Sequence, residues 1–193
     1  VSEIAELLGD LRRHAIQFIR RCFFARSRSP DFREQRRKRC AQQLLVEKRA
    51  TATPAVATSL RDLATKGQNP IGRLHALWTL EGGNALDAAT VRTALGDTDG
   101  RVVAAAIRLT EKFATQPGSE DLAGRVVALA GSHSEPELRL QLALTLGSLK
   151  TPAADAALRA LVLAAGEQPF LADAVVTGLA GREAAFVAAL IKD

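Results

Sequence analysis

Asp97-Thr98-Asp99-Gly100-Arg101-Val102-Val103-Ala104-Ala105-Ala106-Ile107-Arg108-Leu109 places two carboxylates ahead of an Ala- and Val-rich run. Its apolar residues Val102, Ala106 and Leu109, continued by Phe113, recur at steps of four and three, which puts them on one face of a helix. The carboxylates stand where a helix N-terminus leaves its N–H groups unpaired, so they read as a cap. The same layout, a polar or Gly/Pro start followed by an Ala/Leu helix, occurs three more times: from Asn69 to Leu80, from Glu135 to Leu149 and from Gln168 to Ala180. The starts are spaced by about 30 to 37 residues, the range of helical repeat units.

Partner helices are expected between these segments, over 54–65, 86–95, 120–130 and 153–164, and a last helix over 182–191. Turn signals separate them: Gly82-Gly83-Asn84, Gly96-Asp97, Gln116-Pro117-Gly118, Gly131-Ser132, Thr151-Pro152 and Gly166. Leu138 to Leu146 alternates Leu with other residues, which is also a strand pattern. It reads as helix because Leu, Ala, Gln and Arg are good helix formers, no β-branched residue precedes Thr145, and Pro136 suits a first helical position. No stripe in the series can cover itself, so the helical pairs must stack. An all-α chain follows, with residues 51–193 forming an array of about four helical pairs.

Upstream, Ile4, Leu7, Leu8, Leu11, Ala15, Phe18, Ile19 and Cys22 form an apolar stripe with Arg12, Arg13, Gln17, Arg20 and Arg21 mostly off it. A helix there should fail near Ser27–Pro30, and a second should run over about 31–48. Residues 1–50 are thus expected to be a basic helical pair that caps the array. Cys22 and Cys40 make no disulfide framework and read as buried thiols.

The chain has 193 residues, 47% hydrophobic and 24% charged, which is enough for a sizeable core without staples. No stretch reaches the roughly 18 uncharged apolar residues of a membrane span, and charges interrupt the N-terminal apolar residues, so no signal peptide is visible. The first residue is Val, which fits a fragment of a longer protein or an unusual start. The charge is lopsided. Residues 1–60 carry 13 Lys/Arg against 6 Asp/Glu, net +7, and residues 61–193 carry 13 against 15, net −2. An electrostatic partner therefore belongs to the N-terminal third.

The segments Arg73-Leu74-His75-Ala76-Leu77-Trp78-Thr79-Leu80-Glu81-Gly82 and Asp97 to Leu109 resemble HEAT-like, armadillo-like helical repeats. More narrowly, about residues 38–190 resemble the HEAT segment of planctomycete and verrucomicrobial multidomain proteins that join a dehydrogenase-like propeller to a c-type cytochrome domain. Gln42-Gln43-Leu44-Leu45-Val46-Glu47 fits the lead-in helix of that array, and residues 1–37 match nothing in it. The resemblance implies a right-handed α-solenoid of HEAT-like helical hairpins, an α-α superhelix, acting as a bacterial protein-binding scaffold or as a segment of a larger redox protein. The chain lacks the Cys-x-x-Cys-His of haem attachment, so no redox role carries over and no cofactor is expected. A complete chain would be cytoplasmic and a fragment of that family periplasmic.

Catalysis finds no support: there is no nucleophile elbow, phosphate-cradling Gly motif or zinc-protease motif. His14, His75 and His133 are far apart and none has a second ligand at metal spacing. His75 beside Trp78 reads as packing before it reads as a ligand contact. Asp97-Thr98-Asp99-Gly100 begins like a calcium loop but lacks the remaining ligands. The suggestive feature is basic. Arg36-Arg37-Lys38-Arg39, with Arg12, Arg13, Arg20, Arg21 and Arg33, forms a candidate binding patch. It could contact phosphates in a salt-sensitive, sequence-blind way, or be a solvated face paired locally with Asp31, Glu34 and Glu47. The scarcity of aromatics, 4%, argues against stacking single strands. The expected partner is another protein or a neighbouring domain, with nucleic acid as the alternative.

Overall fold

The structure is a computed structural model that describes residues 32–47, 51, 53–116, 120–133, 135–165 and 168–192; for 32–38, Glu120 and Ala165 it describes the backbone alone. Among the described residues every regular element is helical: α1 (Phe32–Glu47), α2 (Pro54–Lys66), α3 (Pro70–Gly82), α4 (Ala88–Ala94), α5 (Gly100–Thr110), α6 (Glu120–Ala130), α7 (Pro136–Leu149), α8 (Pro152–Ala165), α9 (Leu171–Leu179) and α10 (Glu183–Leu190). A 3-10 turn, Glu111–Phe113, prolongs α5. The chain falls into two compact units, one up to Ala94 and one from Leu95. The expected Ile4–Cys22 helix lies outside the described residues.

Local chemistry sets the helix starts. Asn69 accepts hydrogen bonds from the N–H groups of Ile71 (2.9 Å) and Gly72 (3.4 Å), satisfying two donors that the first turn of α3 leaves open. Asp99 does the same for α5 through the Arg101 N–H, and Thr151 Oγ1 accepts from the Ala154 N–H in the first turn of α8. Pro54, Pro70 and Pro136 sit in first turns, where a missing N–H costs nothing. α7 ends on Lys150, whose φ of 53° turns the chain left-handed.

In the first unit α3 packs against both α1 and α2, and α2 against α4. Ala41 and Leu45 of α1, Leu60 and Leu63 of α2, and Ala76, Leu77 and Leu80 of α3 are buried there. Each such Leu contributes roughly 1.5–3 kcal/mol on leaving water. Cys40 corrects one expectation: it is exposed. The stripe of α1 that meets its neighbours is narrow, with Ala41 and Leu45 on it and Cys40 and Leu44 off it.

In the second unit α7 packs against α5, α6, α8 and α9, α6 against α8, and α10 against α8 and α9. Being surrounded explains the strand-like alternation in α7. Leu138, Leu142 and Leu146 are fully buried, and Leu140 and Leu144 on other sides of the helix are half-buried. The stripe read in α5 is buried as expected: Val102, Ala106, Leu109 and Phe113. α7 and α9 come together backbone to backbone. A Cβ built on Gly147 would lie 2.6 Å from Cα and C of Gly178, a distance real Cβ atoms do not show. Arg182 fastens the same place. Its Nη1 donates to both Asp155 carboxylate oxygens, at 2.7 and 2.8 Å, and its Nη2 donates to the Gly147 carbonyl at 2.5 Å.

Candidate functional site

Among the described residues of the first unit, α1 and α3 lie side by side and form an open groove of about 590 Å³. α1 supplies Arg39, Gln42, Gln43 and Val46, and α3 supplies Leu74, His75, Trp78, Glu81 and Gly82. The side chains of α3 that line it are those left outside the buried stripe Ala76–Leu77–Leu80, which turns toward the core. Gly82 lets α1 come near: a Cβ there would meet Val46 Cγ2 at 3.2 Å.

A hydrogen bond crosses the groove between His75 Nδ1 and Gln42 Oε1, at 2.9 Å. Because a side-chain carbonyl oxygen only accepts, Nδ1 carries the hydrogen in that contact. Gln43 Nε2 donates to Glu47 Oε1 at 2.7 Å along the exposed side of α1. Trp78 is half-buried. Apolar Val46, Leu74 and Trp78 share the lining with amides, an imidazole, a guanidinium and a carboxylate, so the groove offers both apolar area and polar groups. No group in it has the arrangement of a nucleophile with its base.

The residues expected to form the basic patch are distributed as follows. Arg12, Arg13, Arg20 and Arg21 lie outside the described residues. Arg33, Arg36, Arg37 and Lys38 have their backbone on α1, and their side chains are outside what is described. Arg39 is exposed and lines the groove together with His75 and Trp78. His14 also lies outside the described residues. His75 is hydrogen-bonded to Gln42, and His133 Nδ1 stands 3.3 Å from Glu135 Oε2 on an exposed turn. Among the described residues no three His, Cys, Asp or Glu side chains could share a metal ion.

The acidic pair before α5 is a cap. Asp97 Oδ1 accepts from the Asp99 N–H at 2.8 Å, and Asp99 takes Arg101 N–H and Nε, each at 3.0 Å, on Oδ1 and Arg101 Nη2 on Oδ2 at 2.7 Å. The Arg101 guanidinium, opposed by partial burial and helped by backbone N–H groups, holds the Asp99 carboxyl below its ordinary 3.8. Asp87 is a parallel case at the start of α4. Burial opposes its ionisation. Hydrogen bonds from the Thr90 hydroxyl and N–H, at 2.7 and 2.8 Å, and the charge of Arg61 outweigh that and lower its pKa. Arg61 Nε lies 2.6 Å from Asp87 Oδ2 as an ion-pair contact rather than a directed hydrogen bond. Its Nη2 donates to the Ala85 carbonyl at 2.9 Å. These carboxylates are engaged in holding loops to helices.

The contribution of Gln42, Val46 and Leu74 was hidden in the sequence, because a groove between two helices needs both helices placed. The signal that existed was the pair His75 and Trp78 on one face of a repeat helix. No family model matches the chain, and neither a curated protein nor a solved structure matches it.

Proposed function

We propose that this chain is a non-catalytic protein–protein interaction scaffold, a right-handed α-solenoid of HEAT-like helical hairpins whose α1–α3 groove docks a peptide segment of another protein. The carrying observation is the groove itself, whose lining combines Val46, Leu74 and Trp78 with Arg39, Gln42, His75 and Glu81. The solenoid reading is supported by the alternation of contacts within each unit, where helices pack on the next helix but one as well as on their immediate neighbour: α1 on α3 and α2 on α4, then α5 on α7, α7 on α9, α6 on α8 and α8 on α10. Stacked hairpins give that alternation.

The test uses a convenience of the sequence: Trp78 is the one tryptophan of the chain. A protein retained from cell extract by the full chain and then purified should shield Trp78 from acrylamide quenching. Trp78→Phe and Arg39→Ala should each weaken its binding about tenfold or more, the scale of a hot-spot contact. Retained proteins that bind the Trp78→Phe variant as well as the parent, and leave quenching of the parent unchanged, would refute the groove as the docking surface.

The second reading is a helical-repeat nucleic-acid binder, favoured by the succession Arg33, Arg36, Arg37, Lys38 and Arg39 on one helix with Arg39 exposed. It requires binding of a labelled duplex that falls steeply with salt and is lost in the Arg36→Ala, Arg37→Ala, Arg39→Ala triple variant.

A further inference from the structure

We propose, resting on the reading of the α1–α3 groove as a docking surface, that its partner is an acidic peptide: a segment that pairs a carboxylate with Arg39 and sets a large apolar side chain against Trp78. The charges that line the groove decide the class. Glu81 is already engaged within the chain. His75 Nδ1 is taken by Gln42 Oε1 at 2.9 Å. Arg39 is exposed and, among the described residues, makes no hydrogen bond and no ion pair. Its guanidinium is charged at any ordinary pH, and its planar fork of donors fits a carboxylate. The groove thus offers a visitor one uncommitted charge, and that charge is positive.

Contacts between the helices fix where it lies. Gln42 meets His75, and four residues later Val46 comes within 3.2 Å of where a Cβ on Gly82 would be. The two helices therefore run in the same direction along the groove. Arg39, three residues before Gln42, stands at one end of the lining that α1 supplies, and Val46 stands at the other. Seven residues of helix cover about 10 Å, a distance that an extended peptide crosses in about three residues. A carboxylate about three residues from a large apolar side chain reaches Arg39 at one end and the apolar lining at the other.

The charge of the whole helix selects the same class. α1 carries five Lys/Arg against two Glu, and one of the two, Glu47, accepts a hydrogen bond from Gln43 Nε2 at 2.7 Å. A positive field around a site draws acidic partners and disfavours basic ones. A nucleic-acid duplex answers that field through its phosphates alone. An acidic peptide uses the cation and also the apolar Val46, Leu74 and Trp78 that line the groove with it.

The test pans a random peptide library, displayed on phage, against the full chain at about 200 mM salt, where binding by phosphate-type charge alone is weak. Enriched peptides should carry Asp or Glu about three residues from a large apolar residue. A synthetic copy should lose more than tenfold in affinity with Arg39→Glu and about tenfold with Trp78→Phe, and keep most of it with Arg39→Lys, the helical circular dichroism being unchanged in all three. The Arg39→Glu chain should enrich basic peptides in place of acidic ones. Peptides enriched with no acidic excess, yet weakened by Trp78→Phe, overturn the acidic partner and leave the groove a docking surface. Acidic peptides that bind the Trp78→Phe chain as tightly as the parent overturn it too, and their displacement by a DNA duplex would assign Arg39 to polyanions at large. A library that yields no peptide, or only peptides indifferent to both positions, refutes the docking groove itself and the acidic partner with it.

Discussion

A methyl group on Gly147 would sit 2.6 Å from the backbone of Gly178, and one on Gly178 would sit 3.1 Å from Gly147 Cα, so neither helix can yield without the other moving. Gly147→Ala should therefore lower stability by about 2–3 kcal/mol, the scale of an overpacked core, read as a lower urea midpoint by circular dichroism. Gly124 is the opposite case: it is exposed in α6 and a Cβ there meets nothing within 4 Å. Gly124→Ala should raise stability by about 0.5–1 kcal/mol, since the glycine only adds freedom to the unfolded chain. The sequence distinguishes these two glycines poorly. Both stand inside Ala- and Leu-rich helices, and what separates them is a backbone contact between helices α7 and α9, which no local pattern encodes. The exposure of Cys40 was hidden for the same reason: periodicity gives the angle between residues, while the width of the covered stripe depends on how many helices surround them.

Helix limits were far more legible, because caps and prolines act within a few residues. The expected 54–65, 120–130, 135–149 and 153–164 meet the observed Pro54–Lys66, Glu120–Ala130, Pro136–Leu149 and Pro152–Ala165 closely. One start slipped despite a proline: 168–180 shrinks to Leu171–Leu179, because Pro169 lies ahead of the helix and its start is the left-handed Phe170 with no side-chain cap. The Asx caps carry a prediction at this scale. Asp99→Ala should cost about 1 kcal/mol. Asp87 and Asp99 both have folded pKa values below their ordinary 3.8. Their contribution is then complete above the unfolded value and disappears as pH falls through the lower folded value. The urea midpoint should hold steady from about pH 7 to 5 and decline below 4. An Asp87→Asn, Asp99→Asn double variant should begin lower and decline less over the acid range; a parallel decline would mean other carboxylates are responsible.

At the scale of the molecule, an all-helical chain was readable from repetition alone, whereas the groove was not, since α1 and α3 become neighbours only by folding. The charge imbalance of net +7 over residues 1–60 was equally plain, but what it serves is decided by salt. Five basic residues of α1, Arg33, Arg36, Arg37, Lys38 and Arg39, compete for positions around one axis. Four successive residues point all round a helix, so about three can face one duplex. Each phosphate contact steepens the dependence of affinity on salt by about 0.9 in the logarithmic slope, which for three contacts predicts a roughly 40-fold loss of duplex binding between 50 and 200 mM salt. Under the proposed docking, a peptide would rest on Val46, Leu74 and Trp78 of the groove lining, and salt does not screen apolar contacts. Its affinity should change less than about threefold over the same range, a shift well under the 1.4 kcal/mol of a tenfold change. Titrating a labelled duplex and a purified retained protein under both conditions, with Trp78→Phe and an Arg36→Ala, Arg37→Ala variant that keeps the groove residue Arg39 alongside, separates the two proposed uses of this helix. A retained protein whose affinity collapses with salt and ignores Trp78 would place its contact on the cations of α1 instead of in the groove.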